Sequence, residues 1–275
     1  MNYRGIFYNK KLLEEEGYQI PSTYAELIDT MQQIKKAGKL PIIFADKDSW
    51  TIHQGWDAID MSSRGSQDDF FQNVLNGDAF LYEDSIALDS TRKFLEIRKY
   101  GQKQTVNTGY DEAVKKFANG EAYMFFQGNW AYPMIKKINP DIDLLFMPFP
   151  AYHENQAKVV VKIDATLGVS ASCKHLEAVE QFLDYVFSKN VSEYYADKAG
   201  AYFCIKSVDV EDSYAKAFTD SIRSGEFFLE EFAYETEKSD AINALFQNFI
   251  SSPQRDTEKS FLKELNDLLI QQKGD

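Results

Sequence analysis

The stretch Phe117-Ala-Asn-Gly-Glu-Ala-Tyr-Met-Phe-Phe-Gln-Gly-Asn-Trp130 decides how this sequence is read. Asn119-Gly120 supplies the residue type that ends a helix in a left-handed turn. Glu121 to Gln127, rich in Tyr, Met and Phe, reads as a buried strand. Gly128-Asn129 breaks that strand, and Trp130-Ala-Tyr-Pro-Met-Ile restarts as a helix. A strand-to-helix corner of this kind sets a large aromatic side chain at the mouth of a cleft. By residue type alone, Trp130 belongs in the core more often than not.

Working outward, helices dominate. Tyr110 to Ala118 leads into the opening stretch. Upstream, Lys10 to Glu16 is a short helix closed by Gly17. Thr23-Tyr-Ala-Glu26 is a capping box, followed by Leu27, Ile28, Met31 and Ile34 on one face and Gly38 at the end. Pro41 opens a strand through Phe44, a polar loop runs from Ala45 to Ser49, and Trp50 to Met61 is helical. Helices follow over 68–75, before Asn76-Gly77, and over 90–100, before Gly101. Downstream, strands are expected at Leu144 to Met147, Val159 to Val161 and Ala165 to Ala171. The remaining helices fall at 177–187, 191–198, 211–223, 235–250 and 257–271, the last two separated by Pro253. Strands spaced by helices imply an α/β fold with a helix-rich exterior.

Composition narrows the function classes. The 275 residues hold 30 Lys and Arg against 43 Asp and Glu, a net charge of −13, which makes a poor partner for nucleic acid. No apolar run approaches a membrane span. The first residues lack the apolar core of a signal peptide and a lipid-anchor cysteine. Cys173 and Cys204 fit either one disulfide or two separate buried thiols. His53, His153 and His175 stand in no catalytic or metal-ligand spacing, and acidic pairs such as Asp68-Asp69 and Glu230-Glu231 read as solvated helix faces. No phosphate-binding glycine loop occurs, so no metal or organic cofactor and no catalysis are expected. The many aromatics, 16 Tyr, 21 Phe and 3 Trp, are mostly core. A few exposed in a cleft would suit a sugar, whose C–H faces pack on rings while its hydroxyls need polar partners.

Three stretches, in order, resemble one family. The opening stretch is similar to the F-x-x-G-x-A-x-M-x-x-x-G-x-W segment of the extracellular solute-binding proteins of ABC importers, in the carbohydrate-binding group that includes maltose-binding protein. Gly5-Ile-Phe-Tyr-Asn-Lys10, Gly17 and Pro21-Ser-Thr-Tyr-Ala-Glu-Leu27 resemble its Y-N-K and P-x-T-W-x-E-L block, with Tyr24 where Trp is commoner. Gly168 to Phe182 resembles its return strand and helix. The resemblance implies a periplasmic-binding-protein-like fold of two α/β lobes around a ligand cleft. On that mapping residues 1–165 with 226–275 form the complete second lobe, and 166–225 are the remaining part of the first. The family's βα units that precede the Y-N-K block are absent here.

The resemblance also implies a ligand surface. Asp48, Ser49 and Trp50 lie on the loop after the early strand, Asn129 and Trp130 at the corner, and Ser239 and Asn243 on the late helix. Trp50 and Trp130 would cover a sugar face, while the polar side chains would meet hydroxyls. Asp164, with Thr166, lies where the chain crosses between lobes, and either a ligand hydroxyl or a hinge hydrogen bond suits it. Ser239 and Asn243 stand where maltose-binding protein carries an aromatic and an arginine, which argues against maltose as ligand. The implied partners are a carbohydrate and the permease subunits of a transporter. The implied location is extracellular or periplasmic, with the parent protein at the membrane only through the transporter or through a lipid anchor that is absent from this chain. Two other classes remain open from sequence: a glycoside-active enzyme with paired inward carboxylates, and a protein-interaction module with a large apolar face.

Overall fold

Asn2–Asn9, the strand β1, is buried along nearly its whole length and pairs on both edges in the computed structural model of the protein. The structure describes residues 2–64, 69–150, 159–163, 166–199, 213–229, 236–252 and 257–270. Five more strands complete a mixed sheet there: β2 (Leu40–Ile43), β3 (Ala122–Gly128), β4 (Leu144–Met147), β5 (Val159–Lys162) and β6 (Phe227–Leu229). One edge of β1 takes β3 antiparallel, Arg4 opposite Gly128 through Tyr8 opposite Met124. The other edge is shared: β5 pairs Asn2 and Tyr3, and β4 pairs Ile6 to Asn9. Gly5 sits at the handover. A Cβ there would lie 2.1 Å from the Met147 carbonyl oxygen, so only glycine lets β4 approach.

The helices are α1 (Lys10–Glu15), α2 (Tyr24–Lys36), α3 (Trp50–Ser63), α4 (Phe70–Asn76), α5 (Ser85–Arg98), α6 (Tyr110–Ala118), α7 (Tyr132–Ile138), α8 (Leu176–Val186), α9 (Lys189–Ala199), α10 (Lys216–Ser224), α11 (Thr236–Ser251) and α12 (Glu258–Ile270). The period-two alternation of the strands separates two cores. Ile6, Tyr8, Ile42, Met124 and Phe126 face one side, with Leu27, Trp56, Phe94, Phe246 and Phe261 from α2, α3, α5, α11 and α12. Tyr3, Phe7, Ile43, Phe125 and Phe146 face the other, with Val114, Phe117, Ile135 and Phe218 from α6, α7 and α10. The sheet is thus covered by helices on both faces.

Capping explains the helix ends. The Thr23 hydroxyl accepts from Glu26 N–H at 3.2 Å while Glu26 accepts from the backbone of Ser22 and Thr23. Gly17, Gly38, Gly77 and Gly120 all turn at φ between 76° and 80° just past helix ends. Asp84 caps α5 by accepting from Ala87 N–H at 2.7 Å and also receives Arg64 at 2.6 Å, which starts that helix five residues before the expected position 90.

One expectation about strands needs correction, and the strand β6 was missed. Residues 166–170 form no strand, and Leu167 and Val169 are exposed. The place beside β5 goes to β6, which pairs Val159 to Val161 in parallel and was not predicted. Ser213–Ser224, assigned by the lobe mapping to the 166–225 piece, shares the core of residues 1–165: Phe218 stacks on Tyr3 at 4.6 Å and on Phe146 at 4.7 Å. The helix α8 differs. None of its residues is buried, and Leu176, Phe182 and Tyr185 are each more than half exposed.

Deep between α3 and α11, His53 Nδ1 meets Asn243 Oδ1 at 2.8 Å. Burial, and to a lesser degree the positive charge of Arg4 and Lys162, push the imidazole pKa down to about 3 despite that hydrogen bond.

Two outcomes follow from this packing. Gly5→Ala should lower unfolding stability by about 2 kcal/mol or more in urea, through forced overpacking at Met147, against about 1 kcal/mol for Thr23→Ala, which removes only a cap. Equal losses would refute the close approach. His53 is neutral when folded but takes up a proton near pH 6.5 when unfolded, so its contribution is complete above pH 6.5 and is lost as pH falls toward 3. Urea unfolding between pH 7 and 4.5 should therefore show a shallower acid loss for His53→Gln than for the parent; parallel curves would refute it.

Candidate ligand-binding surface

The corner after β3 is built from three consecutive residues with separate tasks. At Gly128 the strand ends, and a Cβ there would fall 2.1 to 2.4 Å from the six-membered ring of Trp130. The glycine therefore lets the indole lie flat against the backbone. Asn129 is fully buried, and its Oδ1 accepts from Tyr3 N–H at 3.0 Å, continuing the β1 ladder past the last strand residue. Trp130, partly exposed, is left on the surface side.

Trp50 opens α3 on the facing loop. Its ring centroid stands 6.1 Å from that of Trp130, the planes inclined at 50°, and 5.4 Å from Tyr110, inclined at 55°. Three aromatic side chains from α3, α6 and the corner thus form one continuous surface. An open hollow of about 430 Å³ adjoins it, lined by Lys47, Asp48, Trp50, Gly109, Tyr110, Asp111 and Glu112.

The loop under Trp50 is held from several sides. Asp46, buried, receives both Arg98 Nε and Nη2 at 3.2 Å, and the guanidinium lies 3.7 Å over the Phe94 ring. The Gln102 side chain bonds both N–H and C=O of Phe44, in place of a neighbouring strand. Gln247 of α11 donates to the Asp46 carbonyl at 3.3 Å. Asp48 Oδ2 accepts from Tyr110 N–H at 2.6 Å and so satisfies an orphan donor at the start of α6. Burial raises the Tyr110 hydroxyl pKa well above its usual value, so it stays protonated.

The residues singled out from sequence are dispersed accordingly. Trp50, Trp130, Asp48 and Ser49 come together on this surface. Ser49 makes no capping bond with its side chain and is partly exposed. Asn129 and Asn243 point inward, to Tyr3 and His53. Ser239 is partly exposed on α11, Thr166 is exposed, and Asp164 lies outside the described residues. Cys173 is partly buried, and Cys204 also lies outside the described residues. Trp56, in the body of α3, is fully buried and donates to Thr91 Oγ1 at 2.9 Å. Tyr110 was not anticipated. Its position at the first turn of a predicted helix gave no hint that a loop sixty residues earlier would fold over it. Among the described residues no group of three or more His, Cys, Asp or Glu is placed to hold a metal, and no helix is long and apolar enough to cross a membrane.

Comparison with known proteins places the fold and the family. A Multiple sugar-binding protein of Streptococcus mutans serotype c is 29% identical over 215 residues, covering 75% of this chain and 50% of that protein. An uncharacterized ABC transporter extracellular-binding protein of Pyrococcus horikoshii is 21% identical over 213 residues, covering 77% and 48%. The chain thus spans about half the length of the curated relatives it matches. Among solved structures, the solute-binding protein RafE in complex with raffinose superposes with a TM-score of 0.79 at 22% identity, covering 98% of this chain and 71% of that one. A chitin oligosaccharide binding protein gives 0.80 at 18% identity, covering 98% and 70%. These likenesses show the fold, helix-rich α/β of the two-lobe solute-binding type. The model of the family described as Bacterial extracellular solute-binding protein matches residues 1–192, and the chain belongs to that family.

Proposed function

We propose that this chain acts in the substrate-binding component of an ABC importer, taking a sugar or oligosaccharide on the Trp50–Tyr110–Trp130 surface. The observation that carries the reading is the pair of tryptophans, 80 residues apart in sequence, brought to 6.1 Å beside an open hollow. The similarity to a sugar-binding protein of Streptococcus mutans, and to structures solved with raffinose and stachyose, supports a carbohydrate as the class of ligand.

The chemistry fits recognition without turnover. An indole face covers the apolar C–H face of a pyranose, and desolvation supplies most of the attraction. The second carboxylate oxygen of Asp48 and the Ser49 hydroxyl meet hydroxyls at the rim, with Ser239 on the α11 side and Asp164 at the crossing. Asn129 and Asn243 act as supports, since their side-chain oxygens hold Tyr3 and His53. No catalytic role, metal or cofactor is assigned. In the whole protein, lobe closure by a hinge would complete the site and present the closed form to the permease, at the outer face of the membrane.

The lobe division belongs to the same reading: residues 1–165 with 226–275 as one lobe, 166–225 as a piece of the other. The unburied α8 supports it, and the packing of Phe218 on Tyr3 ties the end of that piece back to the first unit.

Titrating the chain with mono- and oligosaccharides should give saturable quenching of tryptophan fluorescence. Trp130→Ala should weaken binding by about 1 kcal/mol or more, the scale of a lost aromatic contact with its area. Saturable binding unchanged in Trp130→Ala would put the ligand elsewhere.

A second reading, an interaction module, is favoured by one feature. Leu167, Leu176, Phe182, Tyr185 and Tyr194 are each more than half exposed within a single 28-residue stretch, a density that soluble surfaces avoid. On this reading light scattering of the purified chain shows a dimer or larger species that Phe182→Ser with Tyr185→Ser converts to monomer. A monomer at all concentrations would exclude it.

A further inference from the structure

Behind the aromatic surface lies a recess between α3 and the end of β3. It is lined by Arg4, Thr51, Gln54, Gly55, Phe126, Gln127 and Gly128 and has a volume of about 10 Å³, room for one oxygen atom and no more. Its polar groups are incompletely satisfied. Gln127, only 5% exposed, has its side-chain oxygen fixed on Gly128 N–H at 3.1 Å, which directs its amide nitrogen the other way. That nitrogen is buried without a hydrogen-bond partner among the described residues, and so is Oε1 of Gln54, which lines the same recess from α3. The Trp130 indole N–H, two residues beyond Gly128, is buried and has no hydrogen-bond partner among the described residues as well. Native interiors rarely leave a buried amide donor and acceptor both unmet, and a low dielectric makes each omission costly.

The recess and the aromatic surface share their residues' neighbours. Gln54 stands one helical turn after Trp50 on α3, on the same face. Gly128 both lines the recess and underlies the Trp130 ring. Arg4, paired to Asp57 at 3.4 Å and 7% exposed, adds fixed positive charge at the inner wall, and Phe126 closes the apolar side. A donor and an acceptor face a space the size of one oxygen. The complementary group must therefore both accept and donate. A hydroxyl does; an ether oxygen, a carbonyl or an ammonium does not.

We infer that this recess is a single-hydroxyl subsite: one hydroxyl of the saccharide enters it, accepting from Gln127 Nε2 and donating to Gln54 Oε1, and in the ligand-free protein one water takes its place. The inference rests on the carbohydrate reading above and adds to it a specificity element. Rings contribute area and tolerate many sugars; a buried amide pair left unmet rejects the sugar that lacks the one hydroxyl.

The test uses the tightest-binding saccharide from the panel, its monodeoxy and monodeoxyfluoro derivatives, and calorimetric titration of the full 275-residue chain. One deoxygenated position should cost tenfold or more, and fluorine there should not restore binding, because fluorine cannot donate to Gln54. In Gln54→Leu and Gln127→Met, each checked for a native thermal transition, the penalty at that position should shrink to threefold or less. Gln54 is partly exposed, so Gln54→Leu keeps the test available if the buried Gln127→Met fails to fold. A high-resolution structure without saccharide should show one water within hydrogen-bond distance of both amides, and the complex should show a ligand oxygen there instead. Binding in which no single deoxygenation costs more than twofold, or in which the variants keep the penalty, overturns the subsite and leaves the carbohydrate reading intact. A water retained in the complex overturns it too. Failure of every saccharide to bind overturns the carbohydrate reading itself and the hydroxyl assignment with it.

Discussion

Satisfying both edges of a buried strand is the constraint on which the rest of this structure depends. An eight-residue strand buried on both faces carries donors and acceptors that water cannot reach, so each must find a partner in the protein. β3 serves one edge of β1, and β5 and β4 divide the other. Where β3 ends, the Asn129 side chain takes over as acceptor for Tyr3 N–H. The chain can then turn away into the corner that displays Trp130 without leaving the ladder unmet. The proposed ligand surface is in this sense the finishing of a sheet edge. Backbone bonding puts Gly128-Asn129-Trp130 where it is, and the indole follows because Gly128 has no side chain to displace it.

The facing loop is positioned by a different kind of bond. Asp46 is buried, and its charge is acceptable there because Arg98 meets both carboxylate oxygens while stacking on Phe94. Gln102 closes the loose end of β2 at Phe44, and Asp48 closes the loose start of α6. Each is a side chain completing a secondary-structure terminus. Together they fix the backbone from 44 to 50, and Trp50 is carried as the first residue of a helix rather than on a free loop. Rings held by rigid elements lose little freedom on contact with a ligand, which matters if the surface acts as proposed, gaining affinity mainly from area.

Local chemistry was readable in the sequence, and long-range chemistry was not. The Thr23 box and the glycines 17, 38, 77 and 120 marked helix ends because capping is decided within four residues. β1 escaped notice because Arg4 and Gly5 interrupt its apolar run. Their reasons lie elsewhere, in Asp57 on α3 and in the carbonyl of Met147. The strand expected over 165–171 had the right residues, but three-residue β6 occupies the place beside β5. The site divided the same way. Trp50 and Trp130 stood out through the motifs that flank them. Asn243 was placed among the ligand contacts by the resemblance, on the late helix. Its partner His53 is 190 residues away, and no local pattern reports that contact. Gln127 did leave a trace: a carboxamide at the end of Met-Phe-Phe is an odd residue to bury.

The geometry of the aromatic pair bears on the shape of ligand that the proposed reading allows. A pyranose offers a roughly planar apolar face to a single indole. The planes of Trp50 and Trp130 are inclined at 50° with centroids 6.1 Å apart, so one sugar ring cannot lie parallel to both. A single ring would stack on one indole and meet the other with its edge. Two linked rings, bent at the glycosidic bond, could each use one face, and the second would also reach the hollow beside Tyr110, Asp111 and Glu112. The inclined pair thus favours a bent oligosaccharide over a monosaccharide on grounds of area. A hydroxyl set into the recess behind Gly128 would fix which ring sits where. Area and discrimination would then come from different parts of one surface, the first from side chains that any sugar face can use, the second from two amides that only one hydroxyl can satisfy.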